Sequence, residues 1–149
     1  MSTKMPPRPS LTRPGYLLKR AQHALRNRMD SALRPIGLTT PQYAVLTAVR
    51  ADPGISNATL AREAFVTAQT MQAIVTNLER DGFILRHADP SHGRILRTGL
   101  TDHGHEALIQ ADQVVFDVES AMIRSLSDGE VATLINLLGR CGENLSSDE

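Results

Sequence analysis

Apolar residues recur at helical spacing along most of this chain, and one stretch past the middle switches to strand-like runs. From Tyr16 to Leu33 they fall at Leu17, Ala21, Ala24, Leu25, Met29, Ala32 and Leu33, the single stripe of an amphipathic helix. Pro35 and Gly37 end it. Thr40 reads as an N-cap before Pro41 and predicts a second helix to about Ala51, with Tyr43, Val45, Leu46 and Val49 apolar. Asp52-Pro53-Gly54 is a turn. Two short helices with similar starts follow. Ser56 is a predicted N-cap between Ile55 and Leu60, and Thr67 is another between Val66 and Met71. Both apolar pairs have the spacing of a hydrophobic staple. The second of these helices carries Met71, Ile74, Val75 and Leu78 on one face, and Gly82 follows its end. Only Ala64-Phe65-Val66 separates the two, which predicts a helix-turn-helix over 56–81.

Phe83-Ile84-Leu85-Arg86-His87 and Ile95-Leu96-Arg97-Thr98 read as short strands around the turn-rich Asp89-Pro90-Ser91-His92-Gly93. A hairpin over 83–99, directly after a helix-turn-helix, is a wing. Thr101 then caps a long helix whose stripe is Ala107, Leu108, Ala111, Val114, Val115, Val118, Ala121 and Met122. Ser127 and Glu130 form a capping box before a last helix with Val131, Leu134, Ile135, Leu138, Cys141 and Leu145 apolar. The expected fold is mainly α with a small β-hairpin wing. A proline-rich arm over 1–14 precedes a winged helix-turn-helix domain over 15–145. The helices over 15–35 and 101–145 carry more apolar stripe than so small a domain covers alone. They are expected to form a homodimer interface, with a monomeric helical bundle as the alternative.

Composition narrows the function classes. The chain has 149 residues, with 16 Lys and Arg against 16 Asp and Glu, so no global charge argues for a nucleic-acid partner. The charge is uneven in place. Residues 1–36 hold eight positive groups and one negative, and residues 100–149 hold two positive and ten negative. Residues 37–99 hold six and five. Either the basic start binds nucleic acid or the two ends pair with each other. One cysteine makes no internal disulfide, which fits a reducing cytoplasm. The longest unbroken apolar run is Tyr43 to Leu46, against about 20 residues for a membrane span, so no membrane partner is expected. The first ten residues lack an apolar core of the secretory kind.

The second helix of the helix-turn-helix presents Thr67, Ala68, Gln69, Thr70, Gln72, Ala73 and Thr76 on its outer face, near its N-terminus. Short polar side chains there suit base edges. Gln pairs with adenine N6 and N7, and Thr donates, accepts or touches a thymine methyl. Gln69, Thr70 and Gln72 are the expected base readers, beside Ala73 and Thr76, while Thr40, Ser56 and Thr67 are expected on phosphates. Arg94 and His92 lie at the tip of the wing, with Arg86 and Arg97 on its strands. An arginine at a hairpin tip enters a narrow minor groove, and Asp89 is near enough in sequence to steer Arg94. The bland alternative is a solvated helix face and an incidental surface arginine.

Other constellations carry less. His103 and His105 are two apart and diverge on a helix, so no metal site is expected. Cys141 lies on an apolar stripe, where packing is its expected role. No G-x-S-x-G, P-loop or G-x-G-x-x-G motif is present, so neither a catalytic site nor a cofactor is expected.

Leu100-Thr101-x-x-Gly104, preceded by Asp89-x-x-x-x-Arg94, resembles the wing signature of MarR-type regulators, the multiple-antibiotic-resistance regulator family. Leu78-Glu79-Arg80-Asp81-Gly82-Phe83-Ile84-Leu85-Arg86 is similar to that family's helix end and first wing strand, and Leu126-Ser127-Asp128-Gly129-Glu130 to its last-helix start. The resemblance spans roughly residues 15–145. It implies a homodimer, joined through N- and C-terminal helices, that binds pseudo-palindromic double-stranded DNA, usually as a repressor. The family's fuller wing pattern is Asp-x-Arg-Asp-x-Arg, and here Ser91 and His92 replace its first Arg and second Asp. That substitution gives the wing a titratable group whose cationic form would favour phosphate. The resemblance also implies a small aromatic or phenolic acid bound between the dimerisation helices and the winged domain. His23, Met29 and Tyr43 are placed to border such a cleft, with core packing the competing role for Met29 and Tyr43. A winged-helix protein–protein adaptor that never touches DNA is the alternative function.

Overall fold

The computed structural model describes residues 11–147. In chain order it has α1 (Pro14–Leu33), α2 (Thr40–Ala51), α3 (Asn57–Glu63), α4 (Ala68–Arg80), β1 (Ile84–Ala88), β2 (Leu96–Leu100), α5 (Asp102–Met122) and α6 (Asp128–Ser146). Residues 1–10 of the expected arm lie outside the described residues, and Leu11 to Arg13 lead straight into α1. Pro14 opens α1, where a missing N–H costs nothing. The helix stops two residues before the expected 35, because Arg34-Pro35-Ile36 tighten into a 3-10 turn. Gly37 closes that turn at φ +87°, a conformation that favours glycine.

Local chemistry sets most helix starts. Ser56, Thr67, Thr101 and Ser127 each accept a hydrogen bond from the backbone N–H three residues on. Ser127 and Glu130 complete the expected capping box. The start of α2 differs from expectation. Its cap is Thr39, in a capping box with Gln42, and Thr40 is already helical. Thr40 instead turns its amide and its hydroxyl to Asp30 of α1. Thr40 therefore ties α2 to α1 and has no free donor for a phosphate.

One core unites the end of α1 with α2, α3, α4, β1 and the first half of α5. Leu33, Leu46, Leu60, Met71, Leu78, Ile84 and Leu108 are fully buried in it. Each contributes about 1.5–3 kcal/mol by leaving water. The strands pair antiparallel with Arg86 opposite Thr98 and His87 opposite Arg97. The second strand runs two residues further than its apolar run suggests, to Leu100. At its base the wing is pinned to the turn before α3, where Gly54 N–H donates to the Thr98 carbonyl and Ser56 bridges Arg97.

The joint between wing and α5 explains the Leu-Thr-x-x-Gly sequence. Thr101 donates its backbone N–H to the Phe83 carbonyl and its hydroxyl to the Gly82 carbonyl, while accepting from Gly104 N–H. Position 104 must be glycine because a Cβ there would drive into the Phe83 carbonyl. His103 stacks on the Phe83 ring at a centroid distance of 4.7 Å. No group of three metal-ligating side chains occurs among the described residues.

The last helix stands apart. No residue of α6 is buried, and Ile135, Leu137, Leu138 and Leu145 are exposed. Leu17 and Leu18 of α1 and Phe116 and Met122 of α5 are exposed as well. Cys141, expected to pack, is exposed as well, since among the described residues nothing covers its part of α6. Within the described residues the basic start and acidic end do not pair. Among the described residues no ion pair joins positions 11–36 to positions 100–147.

Candidate nucleic-acid interface

The helix-turn-helix forms by burying one face of α4 and leaving the other bare. Met71, Val75 and Leu78 are inside, and Thr67, Gln69, Thr70, Gln72, Ala73 and Thr76 are outside. The turn into α4 is tight enough to hold Phe65 at φ +56°, almost wholly exposed. Thr67 spends its hydroxyl locally. It accepts from Thr70 N–H and donates to the Thr70 hydroxyl at 3.0 Å. Gln69 makes no side-chain hydrogen bond among the described residues and is free to turn either end of its amide outward. Ser56, half-buried, caps α3 and meets Thr59 at 3.0 Å.

Wing and recognition helix converge. A cleft of about 390 Å³ is lined by Ser56, Asn57 and Gln72 on one side and by Arg94, Ile95, Leu96 and Arg97 on the other. His92 and Arg94 are exposed at the tip, and the turn there closes through Ile95 N–H on the His92 carbonyl.

The wing cations divide sharply. Asp89 does not steer Arg94. Its carboxylate accepts from Arg97 Nε at 2.7 Å and from the backbone N–H groups of Ser91 and His92. The Arg97 bond, first of these, holds the Asp89 carboxyl below its ordinary range. Arg97 also donates to the Gly54 carbonyl. Asp89 thus shapes the turn and anchors the wing base, and Arg94 has no ion pair among the described residues. Arg86 is likewise committed. It donates to Glu79 at 3.0 Å, and that bond lowers the Glu79 carboxyl. It also reaches Gln72.

Sequence reasoning missed this last group. Asn57 donates to Gln72 Oε1 at 2.8 Å, so Asn57, Gln72, Arg86 and Glu79 form one chain of contacts across α3, α4 and β1. The one sequence signal was a polar residue directly after the Ser56 cap.

The three expected effector residues do not come together around one cavity. Met29 packs on the core. Tyr43 donates to Asp112 Oδ1 at 2.8 Å, and burial, then that bond, pushes its phenol up. Asp112 also takes both Nη groups of Arg50, whose bonds lower its carboxyl. His23 is exposed and bonds Asn27 at 3.2 Å. A cavity of about 250 Å³ does open between α1 and α5, but Ala21, Ala24, Leu25, Arg28, Val118, Ala121, Met122 and Arg124 line it.

Known proteins share this arrangement. A family model described as the MarR family matches residues 36–95. The HTH-type transcriptional repressor Rv2887 of Mycobacterium tuberculosis is 35% identical over 130 residues, covering 87% of this chain and 94% of the relative. Its solved complex with salicylic acid is 33% identical, with a TM-score of 0.71, covering 92% of this chain and 99% of that one. A mutant MarR from E. coli, complexed with operator DNA, has a TM-score of 0.80 at 25% identity, covering 85% of this chain and 91% of that one. With a repressor this similar along nearly the whole of both sequences, and the same winged helix-turn-helix in its solved relatives, the chain belongs to the MarR family.

Proposed function

We propose that this protein is a DNA-binding transcriptional repressor that acts as a homodimer in the cytoplasm. The observation that carries the reading is the convergence of a bare polar helix face with an exposed wing-tip arginine on one cleft. Gln69, Thr70, Gln72, Ala73 and Thr76 meet base edges in the major groove, and Arg94, with His92 beside it, meets the minor groove and its phosphates. Ser56 and Thr67 lie beside phosphates at the starts of α3 and α4. The apolar faces of α1, α5 and α6 pair with a second copy, which sets the two heads about 34–36 Å apart on a pseudo-palindromic operator. Rv2887 complexed with salicylic acid and MarR complexed with operator DNA support the two halves of this reading.

The effector is a small aromatic acid. The α1–α5 cavity suits it better than the surroundings of His23, Met29 and Tyr43, because apolar walls there carry two guanidinium groups, Arg28 and Arg124. The ligand acts by binding the DNA-incompetent spacing of the heads more tightly than the competent one. Footprinting on the DNA upstream of the protein's own coding sequence tests this. Two protected patches one helical turn apart, lost on adding salicylate, are expected. Uniform protection without a preferred site would refute operator recognition, and a footprint insensitive to aromatic acids would refute the effector reading alone.

A further inference from the structure

The contacts around Gln72 fix which way its amide faces. An amide oxygen has two lone pairs, and two donors, Asn57 Nδ2 at 2.8 Å and Arg86 Nη1 at 3.4 Å, occupy them. A guanidinium has no acceptor, so Arg86 requires the oxygen, not the amide nitrogen, on its side. On the other side Gln72 Nε2 donates to Thr76 Oγ1 at 3.4 Å. Arg86 is itself held. Its side chain is 10% exposed, and Glu79 takes both its guanidinium and its backbone N–H. Asn57 sits at the first position of α3, behind its Ser56 cap.

We propose that Asn57 and Arg86 make Gln72 a donor-only base reader, so that the base beneath it in the operator is guanine rather than adenine. This rests on the DNA-binding reading above and specifies its base contact. Adenine read by glutamine needs one donor and one acceptor, because its N7 accepts and its N6 donates. With one N–H on Thr76, Gln72 has its second N–H to offer and no lone pair left, so the N6 donor of adenine would stay unmatched. Guanine presents N7 and O6, both acceptors, and leaves no donor stranded. Gln69, three residues earlier and untethered, keeps both ends free for adenine. Two glutamines on one helix face therefore read different bases, and Asn57 and Arg86 are positioning residues for one of them.

Selection of bound duplexes from a randomised pool, using the full chain, tests the assignment. The wild type is expected to fix guanine at one position per half-site, by about tenfold or more over adenine. Gln72→Ala should erase the preference there and nowhere else. Asn57→Ala frees one lone pair, so adenine should rise to near parity with guanine at that position. Gln72→Glu, at an exposed position that leaves folding intact, presents only acceptors and should move the preference to cytosine, whose N4 donates. Adenine beneath Gln72 in the wild type, or no positional change in either Gln72 variant, would overturn the proposal while leaving sequence-specific binding in place. A pool that never converges would overturn the DNA-binding reading and this inference with it.

Discussion

The head, from α2 to β2, and the long helices α5 and α6 solve the burial problem differently. The head completes its core within one chain, and what it leaves outside on α4 is polar: Gln69, Thr70, Gln72 and Thr76. By contrast, α6 has no fully buried residue, and it leaves Ile135, Leu137, Leu138 and Leu145 outside. A finished core with a polar face suits a wet, charged partner such as DNA. An unfinished apolar face suits a second copy of itself. The head and α5 share the core around Leu108 and the Tyr43–Asp112–Arg50 contact, and their tightest approach is where Phe83 lies against Gly104.

The largest expected effect comes from crowding that approach. Gly104→Ala puts a Cβ into backbone that cannot yield, and should cost about 3 kcal/mol, the upper end for overpacking, in urea unfolding. A loss under about 1 kcal/mol would mean that the two halves are not locked together there. Next, Met71→Ala in the head should cost about 2–4 kcal/mol, since its side chain is fully buried. Ile135→Ala/Leu138→Ala should weaken self-association at least about a hundredfold in sedimentation, at roughly 1.5–3 kcal/mol per covered side chain. Unchanged association would show that α6 does not form the interface.

A smaller effect concerns the contact between α2 and α5. Arg50 and Tyr43 lower the Asp112 carboxyl in the folded chain, so the pair stabilises at neutral pH. That contribution is lost as pH falls below about 4 and the folded carboxylate takes up a proton. Both side chains are over a third exposed, which limits the effect to about 1 kcal/mol. Asp112→Asn should therefore flatten the acid side of the stability curve, read as urea midpoint against pH. A curve parallel to that of the wild type would deny Asp112 this role.

What was legible in the sequence follows from the range of each interaction. Ser56, Thr67, Thr101 and Ser127 cap their helices through bonds spanning three residues, which a reader of the sequence can count. Thr39 lost out to Thr40 because Pro41 suits either register. The Thr39-x-x-Gln42 box was the signal that separates them. Arg94 was placed beside Asp89 by sequence distance, yet the hairpin carries Arg97 back to it. The Tyr43–Asp112–Arg50 and Asn57–Gln72–Arg86 groups join residues 14 to 69 positions apart, and only the packed fold brings them together. The zero net charge is resolved in the same way. Of the six cations in residues 37–99, Arg50, Arg80, Arg86 and Arg97 are in ion pairs, and Arg62 and Arg94 are in none among the described residues. Salt should thus weaken DNA binding gently, and Arg94→Ala should lower the slope of log affinity on log salt by about 0.9 per head.

The central claim, that the bare face of α4 and the wing tip read DNA together, is tested most directly by fluorescence anisotropy on the upstream DNA. Wild type should bind one site saturably in preference to random duplex of equal length. Gln69→Ala/Arg94→Ala, which leaves the core and α6 untouched, should bind both duplexes alike and weakly. Equal affinity of wild type for the two duplexes, or full specificity retained in the double variant, would contradict the account.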